Sequence, residues 1–455
     1  MNIRLITAAL TALACAPVIP ATALAQSEAD IAISEERLRA DIDTLVRFGT
    51  RNTLSVQDHP TRGIGAARRW AEAEFRRISA DCGDCLQIAL PERMVQGRRI
   101  AQPTRLVNVL AIQPGTERPN EVVIVSAHID SMASDPTDAT TDAPGANDDG
   151  SGTVLVFEAA RNLSRFKFPT TIVYAVLSGE EQGLYGGKLL ADYAEEQGWV
   201  VKAVLNNDIV GGSHGSDGIV DDAHVRVFSE AVRADAGDGE RADMRRNGGE
   251  NDAPSRNLSR WLADLSENDG DDALSVRQVW RADRMGRGGD HLPMLDKGFP
   301  AVRISVAVED YEHQHQNVRT EGGTFYGDVP AEMDFPYLAR VTRLNTLALA
   351  RLARTPMPPR VKADAAVRTD TLVEWDSAEG ATGYAVWRRR TDDAAWQRVR
   401  ELPASTTSTT LDLRGDDWIV GVSSIAGNGA ESPVAAAVPG GAFYPLPKEE
   451  APESE

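Results

Sequence analysis

Cysteine is scarce in this chain: three in 455 residues, of which only Cys82 and Cys85 lie beyond the first twenty-five. A zinc ribbon needs a second pair of thiols, and a thioredoxin-type redox site needs its pair to open a helix after a strand. The sequence DCGDC follows a helical pattern and meets neither need, so a short local disulfide is expected. Long apolar runs are as few. The stretch from Leu5 to Ile19 is short, interrupted by Pro17, preceded by Arg4 and followed by Ala23-Leu24-Ala25. That is the pattern of a secretory signal cleaved after Ala25, and it makes a periplasmic or secreted location the expectation. No other segment reads as a membrane span. Basic residues are outnumbered, 48 Lys and Arg against 68 Asp and Glu, for a net charge of −20. Without a basic footprint, nucleic acid is excluded as the main partner.

What the chain does have is a set of four patches between Val122 and Asp208: SAHID (126–130), GANDDGSG (145–152), SGEEQG (178–183) and LNND (205–208). Three of them follow apolar runs, EVVIVSA, TIVYAVL and VKAVL, which suit parallel strands buried on both faces. Open parallel sheets carry their chemistry just outside the carboxyl ends of the strands. His128, Asp130, Glu180, Glu181 and Asp208 all fall there.

Along the chain, amphipathic helices are expected at 27–48 and 62–78, and strands at 85–89, 106–112 and 122–127. After the GANDDGSG loop the pattern gives a helix over 153–163 with Ser151 as its cap, a strand after Pro169, a helix over 184–197 and a strand over 200–205. The alternation is that of an α/β domain with a mostly parallel central sheet flanked by helices. Residues 211–254 read as loops with short elements and 255–265 as a surface helix. A strand over 299–308 and a helix over 334–353, capped by Asp334, complete the domain. Thr355–Pro359 reads as a stiff linker. Beyond it, short strands give a small all-β sandwich of about 80–90 residues, with Trp375 and Trp387 in its core. The expected division is a signal at 1–25, the α/β domain at 26–355, the sandwich at 356–440 and an acidic tail at 441–455.

A pair of divalent metals needs imidazoles, carboxylates, one bridging carboxylate and a water between them. In His128-Ile129-Asp130, residues i and i+2 share a side, so Asp130 can accept a hydrogen bond from the His128 ring and orient it. The glycine-flanked loop can push an Asp into the centre of the site. Of two adjacent glutamates, one can ligate while the other faces the water. A last imidazole would come from EDYEHQHQN, where His313 and His315 compete and His315, further out in the loop, is preferred. Each patch alone also has an ordinary reading as a turn, a helix first turn or a core histidine.

Together, His-x-Asp, PGANDDGSG, Glu-Glu-x-Gly-Leu-x-Gly, the strand-end Asp, Gly289-Asp290-His291 and a late His resemble the di-zinc exopeptidase family. That family contains bacterial leucyl-type aminopeptidases and glutamate carboxypeptidase-like enzymes, and the likeness spans roughly Phe48 to Ala353. The resemblance implies two zinc ions per chain. One would be held by His128, Asp148 and Asp208, the other by Asp148, Glu181 and His315, with Asp148 as bridge. Glu180 would be the general base, Asp130 the orienting group, and Asp290 and His291 would line the substrate pocket. The implied activity is an exopeptidase on peptide substrates, an aminopeptidase first. A carboxypeptidase, a deacylase or a one-zinc glutaminyl-cyclase-like enzyme stands as the alternative on the same scaffold, and an inactive peptidase-like binding protein as the non-enzyme reading. The chain departs from the pattern at Gly289, where the family usually has Ser, and at Asn317, where an acid is usual near the late His. An inserted segment, 319–330, is expected to cap the pocket. The sandwich resembles a fibronectin type III domain, which implies a spacer or a contact with the cell envelope.

Overall fold

Apolar periodicity sets the first elements, and the computed structural model describes residues 31–270 and 272–447. The expected signal segment and residues 448–455 of the expected tail lie outside the described residues. Helix α1 (Glu35–Val46) buries Leu38, Ile42 and Leu45, and α2 (Gly63–Asp81) buries Ile64, Ala67, Phe75 and Ile78. Cys82 and Cys85, at the end of α2, form the expected disulfide. Strands β1 (Gln87–Ala89), β2 (Glu92–Gly97), β3 (Ile100–Val107), β4 (Val109–Gln113) and β5 (Arg118–His128) follow. Then come α3 (Gly150–Leu163), β6 (Thr170–Leu177), α4 (Tyr185–Glu196) and β7 (Val200–Asn207). The chain continues through β8 (His224–Phe228), α5 (Asp238–Asn247), α6 (Pro254–Glu267), β9 (Ser275–Val279), α7 (His291–Asp296) and β10 (Ala301–Val306). A small hairpin of β11 (Arg319–Glu321) and β12 (Thr324–Tyr326) precedes the long helix α8 (Phe335–Leu352).

Eight strands form one sheet in the order β1-β4-β6-β5-β7-β10-β8-β9. Its centre, β6-β5-β7-β10, is parallel throughout. All eight residues of β6 are buried, which is why TTIVYAVL shows no alternation of polarity. On one face Val123, Val125 and Ala127 pack beneath α1, α2, α3, α6 and α8; on the other Val122 and Ile124 pack beneath α4 and α7. This is a mixed α/β fold with a large, mostly parallel sheet covered on both faces.

Several expected boundaries shift, each for a local reason. The run 106–112 is divided at Asn108: β3 pairs with β2 in a separate ribbon, and β4 joins the main sheet. Asn108 makes the break because it is buried, donating to the Gly186 carbonyl and accepting from the Ser178 N–H. Helix α3 is capped by Asp149, not Ser151; Asp149 accepts from the Gly152 N–H, whereas the Ser151 hydroxyl donates to the Asn147 carbonyl. Residues 211–254 contribute β8 to the main sheet, and α6 is buried rather than a surface helix.

The remainder forms two small antiparallel sheets. One contains β13 (Val361–Asp364), β14 (Thr371–Trp375) and β17 (Ser408–Leu411). The other contains β15 (Gly383–Arg390), β16 (Gln397–Pro403), β18 (Trp418–Ile425) and β19 (Ala435–Ala436). Val373, Trp375, Tyr384, Val386, Leu411 and Val422 pack between them. Trp387 sits on the other side of β15 from that core. It lines a groove against Asn257, Trp261 and Leu265 of α6, which is why α6 is covered. Thr355–Pro359 is buried and held by Lys202, which donates to the carbonyls of Leu352 and Thr355, so it is not a free spacer. The expected tail begins with packed residues: Phe443 is buried against Met357 and Ala435. No helix among the described residues is long and apolar enough to cross a membrane.

Candidate metal centre and substrate cleft

Strand ends bring the ligands together. His128 closes β5, Glu180 and Glu181 follow β6, Asp208 follows β7, and Asp148 sits in the loop that enters α3. One ligand atom from each of His128, Asp148 and Glu181 lies within 4.8 Å of the others. Asp148 stands between two imidazoles, its Oδ1 3.3 Å from His128 Nε2 and its Oδ2 2.9 Å from His315 Nε2. His315 is also 3.2 Å from Glu181 Oε1, and His128 is 3.8 Å from Asp208 Oδ2. The loop after β10 thus delivers His315. His313 turns away to Asp310, 2.7 Å from its Nδ1.

The supporting residues are mostly ones the sequence did not mark. The Asp130 carboxylate is 3.6 Å from the His128 ring, whose hydrogen bond goes instead to the Asp130 backbone carbonyl at 3.0 Å. The carboxylate accepts from the N–H groups of Gly179 and Glu181, at 2.8 and 3.2 Å, and from Thr53 Oγ1 at 3.2 Å. It therefore fixes the glutamate loop more directly than the ring. Asp149 accepts both the Gly152 and the His128 N–H groups, tying the start of α3 to the end of β5. Asp328, in the inserted segment, grips the Asn147 and Asp148 N–H groups at 2.7 Å each. Gln314 donates to Asp148 Oδ2, and Asn317 ties its loop to Ser134 rather than to the His315 ring.

Arg303 is fully buried on β10 and pairs with Asp208 at 2.6 Å while donating to the Gly288 carbonyl. A Cβ on Gly289, whose φ is +152°, would lie 2.9 Å from Arg303 Nη1 and 2.8 Å from His291 Nδ1. The guanidinium thus fills the space where a serine would place its side chain. An arginine inside FPAVRISVAV was the available cue, since buried arginine is rare without a partner.

The electrostatics are those of a site built for positive charge. Burial works against the Asp148 charge, but His315 and His128 outweigh it and hold the carboxyl well below its usual range. Burial also works against charge on the two imidazoles. The acids around them prevail, so both His128 and His315 bind protons far more tightly than usual. Burial pushes the Glu180 carboxyl well up, with Asp208 and Glu181 adding to the effect, and Glu181 is raised the same way. His128 Nε2 and Glu181 Oε1 are buried without a hydrogen-bond partner. Buried polar atoms are normally satisfied, and a divalent cation would satisfy both while relieving the repulsion among the acids. The donor set, imidazole nitrogens with carboxylate oxygens, suits zinc.

Above the ligands opens a cavity of about 580 Å³, with Asp148, Glu180, Glu181, Asp208 and His315 among its walls. Asp290 and His291, expected in the pocket, are buried behind it. Asp290 accepts from the Gly187 N–H of α4, and His291 Nε2 bonds the Ala282 carbonyl. The close approach of Gly187, where a Cβ would come within 2.7 Å of Asp290, shuts that pair off. Nor does the 319–330 hairpin line the cavity; its contribution is Asp328. Further walls come from Met132, from residues 182–185 and Lys188 at the start of α4, and from the β2–β3 turn and the 284–288 loop, the last two outside the sequence motifs.

Comparison with known proteins matches the model of peptidase family M28 to residues 108–321. A protein of Leptosphaeria maculans named as a probable zinc metalloprotease is 39% identical over 421 residues, covering 91% of this chain and 95% of the relative. In fold, the chain is similar to the LapA aminopeptidase of Legionella pneumophila, with a TM-score of 0.53 at 16% identity, covering 76% and 78% of the two chains. It is also similar to the glutaminyl cyclase of Macrostomum lignano, with a TM-score of 0.51 at 14% identity, covering 74% and 94%.

Proposed function

The chain belongs to peptidase family M28 and is a zinc metalloprotease, and from that premise we propose that it is a two-zinc exopeptidase acting as an aminopeptidase. The observation that carries the reading is Asp148, poised between His128 and His315 with Glu181 and Asp208 beside them. His128, Asp148 and Asp208 would hold one ion, and Asp148, Glu181 and His315 the other. Zinc bound there supplies a Lewis acid that polarises a carbonyl and brings the pKa of a water towards neutrality. Glu180, half-buried in the cavity wall and raised in pKa, would accept the proton of the attacking water and return it to the leaving amine. Glu181 stays beside His315, and Asp130 and Asp328 keep the two acidic loops from spreading. An α-ammonium at the substrate's end would find its acceptors among the acids at the cavity floor.

The test is metal content together with cleavage of three peptide sets: free at both ends, blocked at the amine, and amidated at the carboxyl. Two zinc per chain and loss of cleavage on blocking the amine are expected. Cleavage that needs a free carboxyl and ignores the amine would replace the aminopeptidase by a carboxypeptidase. Cyclisation of N-terminal glutamine without peptide hydrolysis would overturn the peptidase reading. The same proposal places the enzyme in the periplasm or outside the cell. Support comes from residues 1–25 and from the Cys82–Cys85 disulfide, which persists in oxidising compartments. The two C-terminal sheets are proposed as a fibronectin type III-like unit able to contact the cell envelope.

A further inference from the structure

A chain with twenty more acids than bases gathers cations around its substrate cavity: Arg98, Arg99, Lys188, Arg284 and Arg287 are all in the walls. Their compensation is thin. Glu309 serves Arg284 at 3.2 Å, Arg287, and also Arg226 at 2.6 Å, so one carboxylate answers three guanidinium groups. Arg99 and Lys188 donate to backbone carbonyls, those of Glu181 and Gly183. The acids on the floor belong to the metal ligands and Glu180, and Asp208 is already paired with Arg303. Arg284 adds an independent sign. Its side chain is 8% exposed, yet its Nε has no hydrogen-bond partner. A buried guanidinium donor is seldom left unmatched unless something else supplies the acceptor.

We propose that this cavity recognises its substrate through a carboxylate separate from the scissile bond, received by Arg284 and Arg287 with Arg98 at the rim. Guanidinium groups match a carboxylate with two parallel hydrogen bonds, which a single ammonium does not offer. That carboxylate has two sources in a peptide: an acidic side chain or the free C-terminus. The proposal takes its substrate from the exopeptidase reading above, whereas the binding it describes stands apart from turnover.

The test uses the full zinc-loaded chain and two peptide pairs. In the first, C-terminally amidated peptides carry Glu or Gln at the N-terminal position. In the second, one neutral dipeptide is offered as free acid and as amide. The acid member of at least one pair is expected to be preferred by roughly 10-fold or more in kcat/KM, mostly through KM, with the preference shrinking in high salt. Arg98 is exposed and Arg287 one-third exposed, so both can be replaced by Ala; because Arg287 also donates to Gln314 at 2.9 Å and Gln314 holds Asp148, the zinc content of Arg287→Ala is measured beside its rates. The acid-to-neutral ratio should fall towards one in these variants and recover in part in Arg287→Lys. Equal rates within both pairs, or a preference that survives both alanine variants, would overturn the proposal. If no peptide is cleaved, the peptidase reading fails, and calorimetry of N-acetylglutamate against N-acetylglutaminamide, which carries no carboxylate, decides this one. Tighter binding of the glutamate that is lost in Arg287→Ala upholds it, and equal binding ends it.

Discussion

At the scale of single residues, the two adjacent glutamates have different surroundings and should fail differently. Glu181 touches His315, whereas Glu180 lines the cavity beside the ligands. Glu180→Gln is expected to keep its zinc and lose roughly 10²–10⁴-fold in kcat, read by metal analysis beside steady-state kinetics. Asp148→Ala should lose metal, because both imidazoles are organised around that carboxylate. A Glu180→Gln enzyme with near-normal kcat would remove the base from the mechanism. A second residue makes stability depend on pH. Burial raises the Glu230 carboxyl from 4.5 to about 8. The folded state then binds the extra proton, so this contribution is complete below pH 4.5 and is lost as pH rises through about 8. The loss amounts to up to roughly 5 kcal/mol. Glu230→Gln should flatten the decline in unfolding free energy between pH 5 and 9, measured by denaturant titration; an unchanged slope would contradict it.

At the scale of elements, the loop into α3 is held from a distance. Asp328 reaches it across 180 residues of sequence to hold the Asn147 and Asp148 N–H groups. Supports of this kind set ligand position, so Asp328→Ala is expected to weaken zinc binding by roughly 10–100-fold while the fold persists. Competition with a chelator of known affinity measures this, and unchanged affinity would leave Asp328 with no part in the site. The central elements were legible in the sequence because their signals are local. Uninterrupted runs such as TIVYAVL mark strands buried on both faces, and the α8 stripe with its Asp334 cap marks a helix. The edges were less legible. Strand β9 is half-exposed and polar, and β8 lies in a Gly- and Asp-rich region, so neither carries an apolar run. Helix α6 looked like a surface helix because the groups covering it lie more than a hundred residues away, at Trp387 and Trp396.

At the scale of the whole molecule, the C-terminal sheets are joined to the α/β unit by buried charge as well as by packing. Asp252 pairs with Arg260 of α6 at 3.4 Å and with Arg389 of β15, and all three side chains are nearly inaccessible. Removing the shared acid would leave two buried cations uncompensated. Asp252→Ala should therefore cost about 3–5 kcal/mol and can uncouple the two units in a calorimetric scan. A loss under about 1 kcal/mol would show that packing alone holds the junction. By itself the sequence determined the order of the central strands and helices, the disulfide and the acids and imidazoles at the strand ends, because each depends on neighbours a few residues away. Only the tertiary structure decided which late histidine faces Asp148, that Asp290 and His291 stand behind the cavity, and that Arg98, Arg284 and Arg287 gather over it. Those outcomes depend on where loops far apart in the chain are packed, and periodicity along one segment carries no record of the segment it will meet.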